Sequence, residues 1–339
     1  MRRAVSTSVG RLAVEETLVP AAGSGEVVIR VEACGICGTD RSLFAGDTPL
    51  VFPAVQGHEF SGTVVDLGAD VCSLKVGDRV AVDPNVVCLT CAACRRGQSH
   101  LCVNLSPLGI SRSGGFAEFA AVPERNAYAM PPQMSFEEGA LLEPLACCIR
   151  GIQMAGIQLG DTVGILGAGP VGSLLMQLAS LQGAARVYVG EPDANRRKRA
   201  KERGADLTVE TTAELTESLQ EATGGMGADV VIDATGRTTA AEAALSMVRR
   251  GGTVVWFGCC PEREQVCVSP YWVNDAEISI RGSFNNPHVH SRALALVAAG
   301  KVDVAGLVTH RLGLADLAEA LGSAGPARAM KLVVCPSLG

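Results

Sequence analysis

The sequence predicts an α/β chain of two domains, one β-rich and one built on a doubly wound parallel sheet. Three observations predict it. The chain has 339 residues, about twice the roughly 150 of an ordinary domain. Residues 1 to about 135 carry short β-branched runs broken by Gly, Pro and Asp turns. From near Glu138 onward, apolar strand-like runs alternate with helical stretches, the pattern of successive βα units.

Taken in order, MRRAVSTSVGRLAVEE starts basic but lacks the apolar stretch of a signal peptide, and reads as a first strand. EVVIRVEACGI and FSGTVVDLG are further strands, and VGDRVAV is a turn leading into another. LLEPLACCIRGIQMAG is expected to become helical after its proline, because Pro144 pushes Glu143 toward an extended backbone and can itself open a helix. TVGILG, RVYVG, ADLTV, DVVIDAT, TVVWFG and EISIRGS form six strands. Between the first two, Val171, Leu174, Leu175 and Leu178 share one helical face. After Phe284, SRALALVAAG and LADLAEALGSA read as helices and MKLVV as a closing strand. The expected division is 1–144 with 286–339 for the β-rich domain, including a metal-binding lobe at about 86–104, and 145–285 for the parallel-sheet domain.

Composition excludes several classes. The chain has 29 basic and 35 acidic residues, a net charge of −6, and no basic stripe, which argues against a nucleic-acid partner. No apolar run approaches the roughly 18 residues that span a bilayer, so no membrane is expected. The 13 cysteines cluster in a long chain without an export signal, which points to metal binding in a reducing cytoplasm.

Cys88, Cys91 and Cys94 are spaced by two residues, and Cys102 closes the set after seven more. Four thiolates complete a tetrahedral zinc and leave no position for chemistry, as a structural site requires. Cys37 in CGICGTD, His58 and Glu59 in GHE, and Glu143 in LLEP are each weak signals alone. Together they offer sulfur, imidazole and carboxylate, the mixed set of an open catalytic zinc.

Gly167, Gly169 and Gly172, with Pro170 and Val171 between them, form G-x-G-x-x-G directly after a strand and at the head of an amphipathic helix. That context is a dinucleotide site: tight turn, close approach of pyrophosphate, and helix–strand packing. Glu191 ends the second strand, where a carboxylate binds ribose hydroxyls and favours NAD over NADP. The basic run Arg196-Arg197-Lys198-Arg199 argues the other way, because an arginine there could hold a 2′-phosphate. Thr235 and Gly258, near the ends of the fourth and fifth strands, line the same crevice, and Phe284 follows the sixth. Asn285, Asn286, His288 and His290 could reach substrate hydroxyls or be ordinary loop residues.

GICGTD, GHE, the cysteine quartet and GAGPVG occur in the order and spacing of the zinc-containing medium-chain dehydrogenase/reductase family, which the chain resembles from about residue 25 to its end. The EP pair at Glu143-Pro144 is similar to the sorbitol and threonine dehydrogenase branch. The resemblance implies a GroES-like catalytic domain and a Rossmann domain, with two zinc ions per chain. Cys37 and His58 would ligate the catalytic ion, and Glu59 and Glu143 would be ligands or outer groups exchanging with water. It places Lys331 near the cofactor pyrophosphate and Thr39 as the group that passes the substrate proton toward the cofactor ribose. Where many relatives carry a histidine in that relay, this chain has Ser42. The implied reaction is hydride transfer between a secondary alcohol, of polyol, cyclitol or aminocyclitol type, and a nicotinamide cofactor. A homodimer or homotetramer is implied as well. The rivals are an NADPH-linked zinc ketone reductase, a metal-free enoyl or quinone reductase, and a non-catalytic nicotinamide-binding sensor.

Overall fold

The computed structural model describes residues 1–322 and 329–338. The chain divides into two compact units, Met1–Ala146 with Pro287–Gly339, and Cys147–Asn286.

The first unit opens with a hairpin, not the single strand expected: β1 (Arg2–Ser8) pairs antiparallel with β2 (Arg11–Glu16). Gly10, at φ +67°, takes the left-handed backbone that reverses the chain there. There follow β3 (Glu26–Gly35), α1 (Gly38–Ala45), β4 (Glu59–Leu67), β5 (Arg79–Val82), α2 (Ala92–Arg95), β6 (Phe119–Pro123), β7 (Ala127–Ala129) and α3 (Phe136–Ala140). Val27, Ile29 and Val31 of β3 pack with Phe60 and Val64 of β4 and Val80 and Val82 of β5 in one core. Each such buried side chain contributes about 1.5–3 kcal/mol. The short α1 sits inside a stretch of strand-like texture. Its first-turn Asp40 accepts the Cys37 amide at 2.9 Å, and left-handed Gly46 (φ 83°) ends it.

Helix α4 (Leu142–Ala155) begins one residue before Glu143, so Glu143 is helical, not extended. Pro144 lies in the first turn, where its missing N–H has no intrahelical partner to lose. That position removes the cost that was expected to keep the helix from starting earlier.

The second unit carries β8 (Thr162–Leu166), α5 (Pro170–Gln182), β9 (Arg186–Gly190), α6 (Ala194–Glu202), β10 (Leu207–Val209), α7 (Thr212–Ala222), β11 (Ala228–Asp233), α8 (Thr238–Met247), β12 (Val248–Trp256), α9 (Pro270–Asp275) and β13 (Ser279–Gly282). All six expected runs are strands. They form one sheet in the order β10-β9-β8-β11-β12-β13, and every pairing is parallel. The order reverses between β8 and β11, the switch point at which such sheets bind ligands beyond their strand ends. In α5, Leu174, Leu175 and Leu178 are buried as expected; Met176 and Ala179 are buried too, while Val171 is only half-buried.

The chain then returns to the first unit with α10 (His290–Ala298), β14 (Val308–Leu312), α11 (Leu317–Gly322) and β15 (Lys331–Val334). The last two strands extend the first sheet to the order β14-β15-β3-β4-β5-β7, with β6 also paired to β3. Ser323 and Ala324, at the end of the second expected helix, lie outside the described residues. Among the described residues no helix is long and apolar enough to cross a membrane.

Candidate metal and nucleotide sites

Cys37 caps α1 just past the end of β3, and His58-Glu59 opens β4. Antiparallel pairing sets Gly35 opposite Glu59, which brings together residues that sequence spacing could not join. Donor atoms of Cys37, His58 and Glu59 all lie within 4.8 Å of one another. Cys37 is half-buried and the other two are buried. Asp40, absent from the sequence-based set, organises them. Its Oδ2 accepts the Cys37 amide at 2.9 Å, its Oδ1 accepts the Gly57 amide at 3.3 Å, and that Oδ1 stands 3.3 Å from His58 Nδ1. Burial opposes a charge on His58, but Asp40 and Cys37 outweigh it and hold the ring's pKa well above the usual imidazole range. With Nδ1 turned to a carboxylate, Nε2 is the nitrogen left to ligate. A thiolate, an imidazole and a carboxylate meeting in a buried, acid-rich corner fit a zinc ion.

Lys331 stands beside this cluster. It lies on β15 beside β3, 4% exposed, with its ammonium 2.7 Å from Oε1 and 2.5 Å from Oε2 of Glu59. Burial would lower its pKa, yet Glu59 raises it. The ammonium is paired with Glu59 at the edge of the Cys37–His58–Glu59 cluster. Glu143 is buried in α4 of the same unit, but the three-residue cluster does not include it. Thr39 is exposed and Ser42 half-buried on α1, at the i, i+3 spacing that makes helical neighbours.

The four sulfurs of Cys88, Cys91, Cys94 and Cys102 also lie within 4.8 Å of one another. Cys102 and Cys88 are 3.5 Å apart, near the roughly 3.8 Å edge of a tetrahedron with Zn–S of about 2.3 Å. Backbone amides of Cys88, Cys91 and Asn104 donate to these sulfurs at 3.4 Å. Hydrogen bonds from Thr90 and the Cys91 amide pull the Cys88 thiol down to about 5. Burial and the neighbouring sulfurs push Cys94 up to about 12. Thiolates crowded this closely oppose one another's ionisation, and a divalent cation removes that opposition.

In the second unit, β8 runs into Gly167 (φ +93°), and Gly169 caps α5 with Pro170 in its first turn. A Cβ on Gly172 would fall 1.9 Å from the Gly167 carbonyl oxygen, so the turn closes only without a side chain. The free N–H groups of α5 make an anion site. Glu191 is buried, its Oε2 accepting the Ala168 amide at 2.7 Å and its Oε1 the Asp193 amide at 3.0 Å. Arg196 Nη1 approaches to 3.8 Å of where a Cβ on Gly169 would stand. Thr235 donates its hydroxyl to Asp233 at 2.6 Å. Gly258 and Gly236 meet backbone to backbone, because a Cβ on Gly258 would lie 2.1 Å from the Gly236 nitrogen. Phe284 is exposed, following β13.

The polar segment after Phe284 is mostly packing. Asn286 is buried and donates to the Cys147 sulfur at 3.4 Å. His288 pairs with Ser99 at 3.2 Å. His290, 1% exposed, stacks on Tyr128 at 5.3 Å and sets Nδ1 3.4 Å from Asp83.

Residues 23–132 match the model of the alcohol dehydrogenase GroES-like domain, and residues 170–299 that of the zinc-binding dehydrogenase. D-arabinitol dehydrogenase 1 of Uromyces fabae is 34% identical over 324 residues, covering 94% of this chain and 92% of its own. The chain belongs to the zinc-dependent medium-chain dehydrogenase family. This dehydrogenase is also 36% identical to D-altritol 5-dehydrogenase of Agrobacterium fabrum over 313 residues, 91% of each chain. A solved zinc-binding dehydrogenase of Sinorhizobium meliloti 1021, bound to NADP, superposes with a TM-score of 0.95 at 38% identity over 99% of both chains. The dehydrogenase therefore combines the GroES-like and Rossmann folds and works with a nicotinamide cofactor.

Proposed function

We propose that this dehydrogenase oxidises a secondary alcohol of a polyol, cyclitol or aminocyclitol to the ketone, passing hydride to NAD. The observation that carries the proposal is the convergence of Cys37, His58 and Glu59 within 4.8 Å in an open, three-residue set. Zinc held there by Cys37 and His58, with Glu59 or Glu143, would supply a Lewis acid that lowers the pKa of a substrate hydroxyl, and the nicotinamide supplies the redox chemistry. Asp40 holds His58 and the Cys37 loop in register for the ion. Thr39 carries a hydroxyl that both donates and accepts, so it can take the substrate proton and hand it on. Ser42, on the next turn of α1, continues that path without an imidazole.

Cys88, Cys91, Cys94 and Cys102 would hold a second, structural zinc. In the Rossmann unit, Gly167, Gly169, Pro170, Val171 and Gly172 with the α5 N-terminus receive the pyrophosphate, and Thr235 and Gly258 border it. Glu191 accepts ribose hydroxyls and repels a 2′-phosphate. Relatives acting on D-arabinitol and D-altritol support the polyol class, and family membership supports a cytoplasmic homodimer or homotetramer.

A screen of NADH formation across sugar alcohols, cyclitols and simple secondary alcohols, with zinc analysis, tests this. Turnover of a polyol with two zincs per chain is expected. One zinc or none would favour a metal-free reductase, and binding without turnover of any polyol would favour a sensor. Arg196 beside Gly169 and the NADP in the similar structure favour a second reading, NADP as the cofactor. A higher kcat/KM with NADP would establish it.

A further inference from the structure

Cys259 and Cys260 are adjacent thiols just past β12, and neither belongs to the two metal clusters. Cys259 is exposed and Cys260 half-buried. The Cys259 sulfur leans forward along the chain, 3.9 Å from the Cys260 carbonyl oxygen. The Cys260 sulfur meets the Thr238 hydroxyl and lies in the field of Asp233 and Glu264. Burial first, then those carboxylates and the neighbouring sulfur, push its pKa up. The main chain here is tightly held. A Cβ on Gly236 would fall 2.6 Å from the Cys259 carbonyl oxygen, and one on Gly258 2.1 Å from the Gly236 nitrogen. Both turns follow the carboxyl ends of β11 and β12, the edge along which a parallel sheet of this kind binds its ligand.

Two chemistries join neighbouring thiols. A direct disulfide is strained, because consecutive Cα atoms across a trans peptide stand about 3.8 Å apart, below the roughly 4.4–6.8 Å of ordinary bridges. One atom inserted between the sulfurs lengthens the link and relieves that strain. Sulfur donors select a soft, thiophilic centre, while Asp233 and Glu264 turn away anions. A neutral trivalent arsenical meets both requirements.

We propose that Cys259 and Cys260 form a dithiol site for trivalent arsenicals, and that filling it closes this stretch of the nucleotide crevice. The closing rests on the reading of the Rossmann unit as a dinucleotide site; the dithiol does not. With an organoarsenoxide, two As–S bonds form while both S–H bonds and the As=O bond break. The two protons leave with the oxygen as water, and arsenic stays trivalent, so no oxidant is consumed. The arsenic then carries its organic group at a wall that the Gly236 contact holds in place, and the dinucleotide loses that room.

The test treats the zinc-loaded full chain with phenylarsine oxide, then alkylates the remaining thiols with iodoacetamide and digests with trypsin. Cleavage after Arg250 and Arg263 releases Gly251–Arg263, which holds Cys259 and Cys260 and no other cysteine. Both should be spared from alkylation. Fluorescence titration of the treated chain with NADH and NADPH should show affinity for whichever the parent binds falling by about tenfold or more. Dimercaptopropanol, a dithiol, should restore it, and mercaptoethanol should not. Cys259→Ser and Cys260→Ser each leave a single thiol that cannot chelate, with the four-cysteine lobe intact. Treatment should leave the cofactor affinity of either variant at its own untreated value. An equal loss in both variants would assign the effect to other thiols and overturn the proposal. So would full alkylation of Gly251–Arg263 after treatment, or a bridged peptide in a chain whose cofactor affinity is unchanged. An untreated parent that binds neither NADH nor NADPH, yet yields the bridged peptide, would instead bring down the dinucleotide reading and leave the dithiol site standing.

Discussion

Asp40 Oδ1 stands 3.3 Å from Nδ1 of His58, while the other oxygen of the same carboxylate accepts the Cys37 amide at 2.9 Å. One fully buried acid therefore contacts both the imidazole and the cysteine backbone of the Cys37–His58–Glu59 cluster. Asp40→Asn keeps the volume and removes the charge. It should lower kcat/KM and zinc affinity together by about 10- to 100-fold. Rates and zinc content equal to the parent's would show that Asp40 does not orient the ring. Asp40→Ala should in addition cost stability, about 1–3 kcal/mol for each amide left without its acceptor.

Cys94→Ser opens the quartet. Metal analysis should find one zinc fewer per chain, and the thermal midpoint should fall by about 5–10 °C, as a loss of a few kcal/mol implies for a domain of this size. Retention of the full zinc complement would show that the four sulfurs do not share an ion.

Glu191→Gln keeps an acceptor for the Ala168 amide but removes the negative charge. The ratio of kcat/KM for NADP over NAD should rise by about tenfold or more, corresponding to about 1.4 kcal/mol. Arg196→Ala should move the ratio the other way. If neither variant alters it, cofactor choice is made elsewhere in the crevice.

Ser42→His places a group titrating near 6.5 beside the Thr39 turn. The pH–rate profile should gain an inflection in that region. An unaltered profile would show that the proton leaves by another route.

His290 is a buried imidazole held toward its neutral form. Burial lowers its pKa, and Asp83 only partly opposes this. The unfolded imidazole takes up protons from about 6.5 downward, while the folded ring resists them. Protons therefore favour unfolding, and stability should fall as the pH drops below about 6.5. Denaturant unfolding of His290→Gln should show a flatter loss over that range; a slope as steep as the parent's would assign the acid sensitivity to other groups.

Where the signal was periodic or clustered, the sequence was enough. Six apolar runs became six parallel strands, the four close-set cysteines stood out by spacing, and the glycines at 167, 169 and 172 by their place between a strand and an amphipathic helix. What escaped depended on partners distant in the chain. Asp40 looks like any acid in the first turn of a helix, and nothing nearby announces that it faces His58. Nothing near Lys331 in the sequence signals that it faces Glu59, 272 residues away, until β15 docks beside β3. The extended backbone expected at Glu143 failed because the preference imposed by a following proline is weaker than a helix that can seat Pro144 in its first turn. His290 was a candidate for substrate contact on polarity, and only burial against Tyr128 reveals it as interior.

The contact of Gly236 with Gly258 has a consequence for how this enzyme could diversify. Two strand-end turns touch through main chain, and any substituent larger than hydrogen at position 258 would drive them apart. That stretch of the nucleotide crevice is built of peptide groups and offers mutation nothing to adjust. On the proposed dinucleotide reading, discrimination then falls to side chains such as those of Glu191 and Arg196, which substitution can change while the Gly236–Gly258 contact cannot.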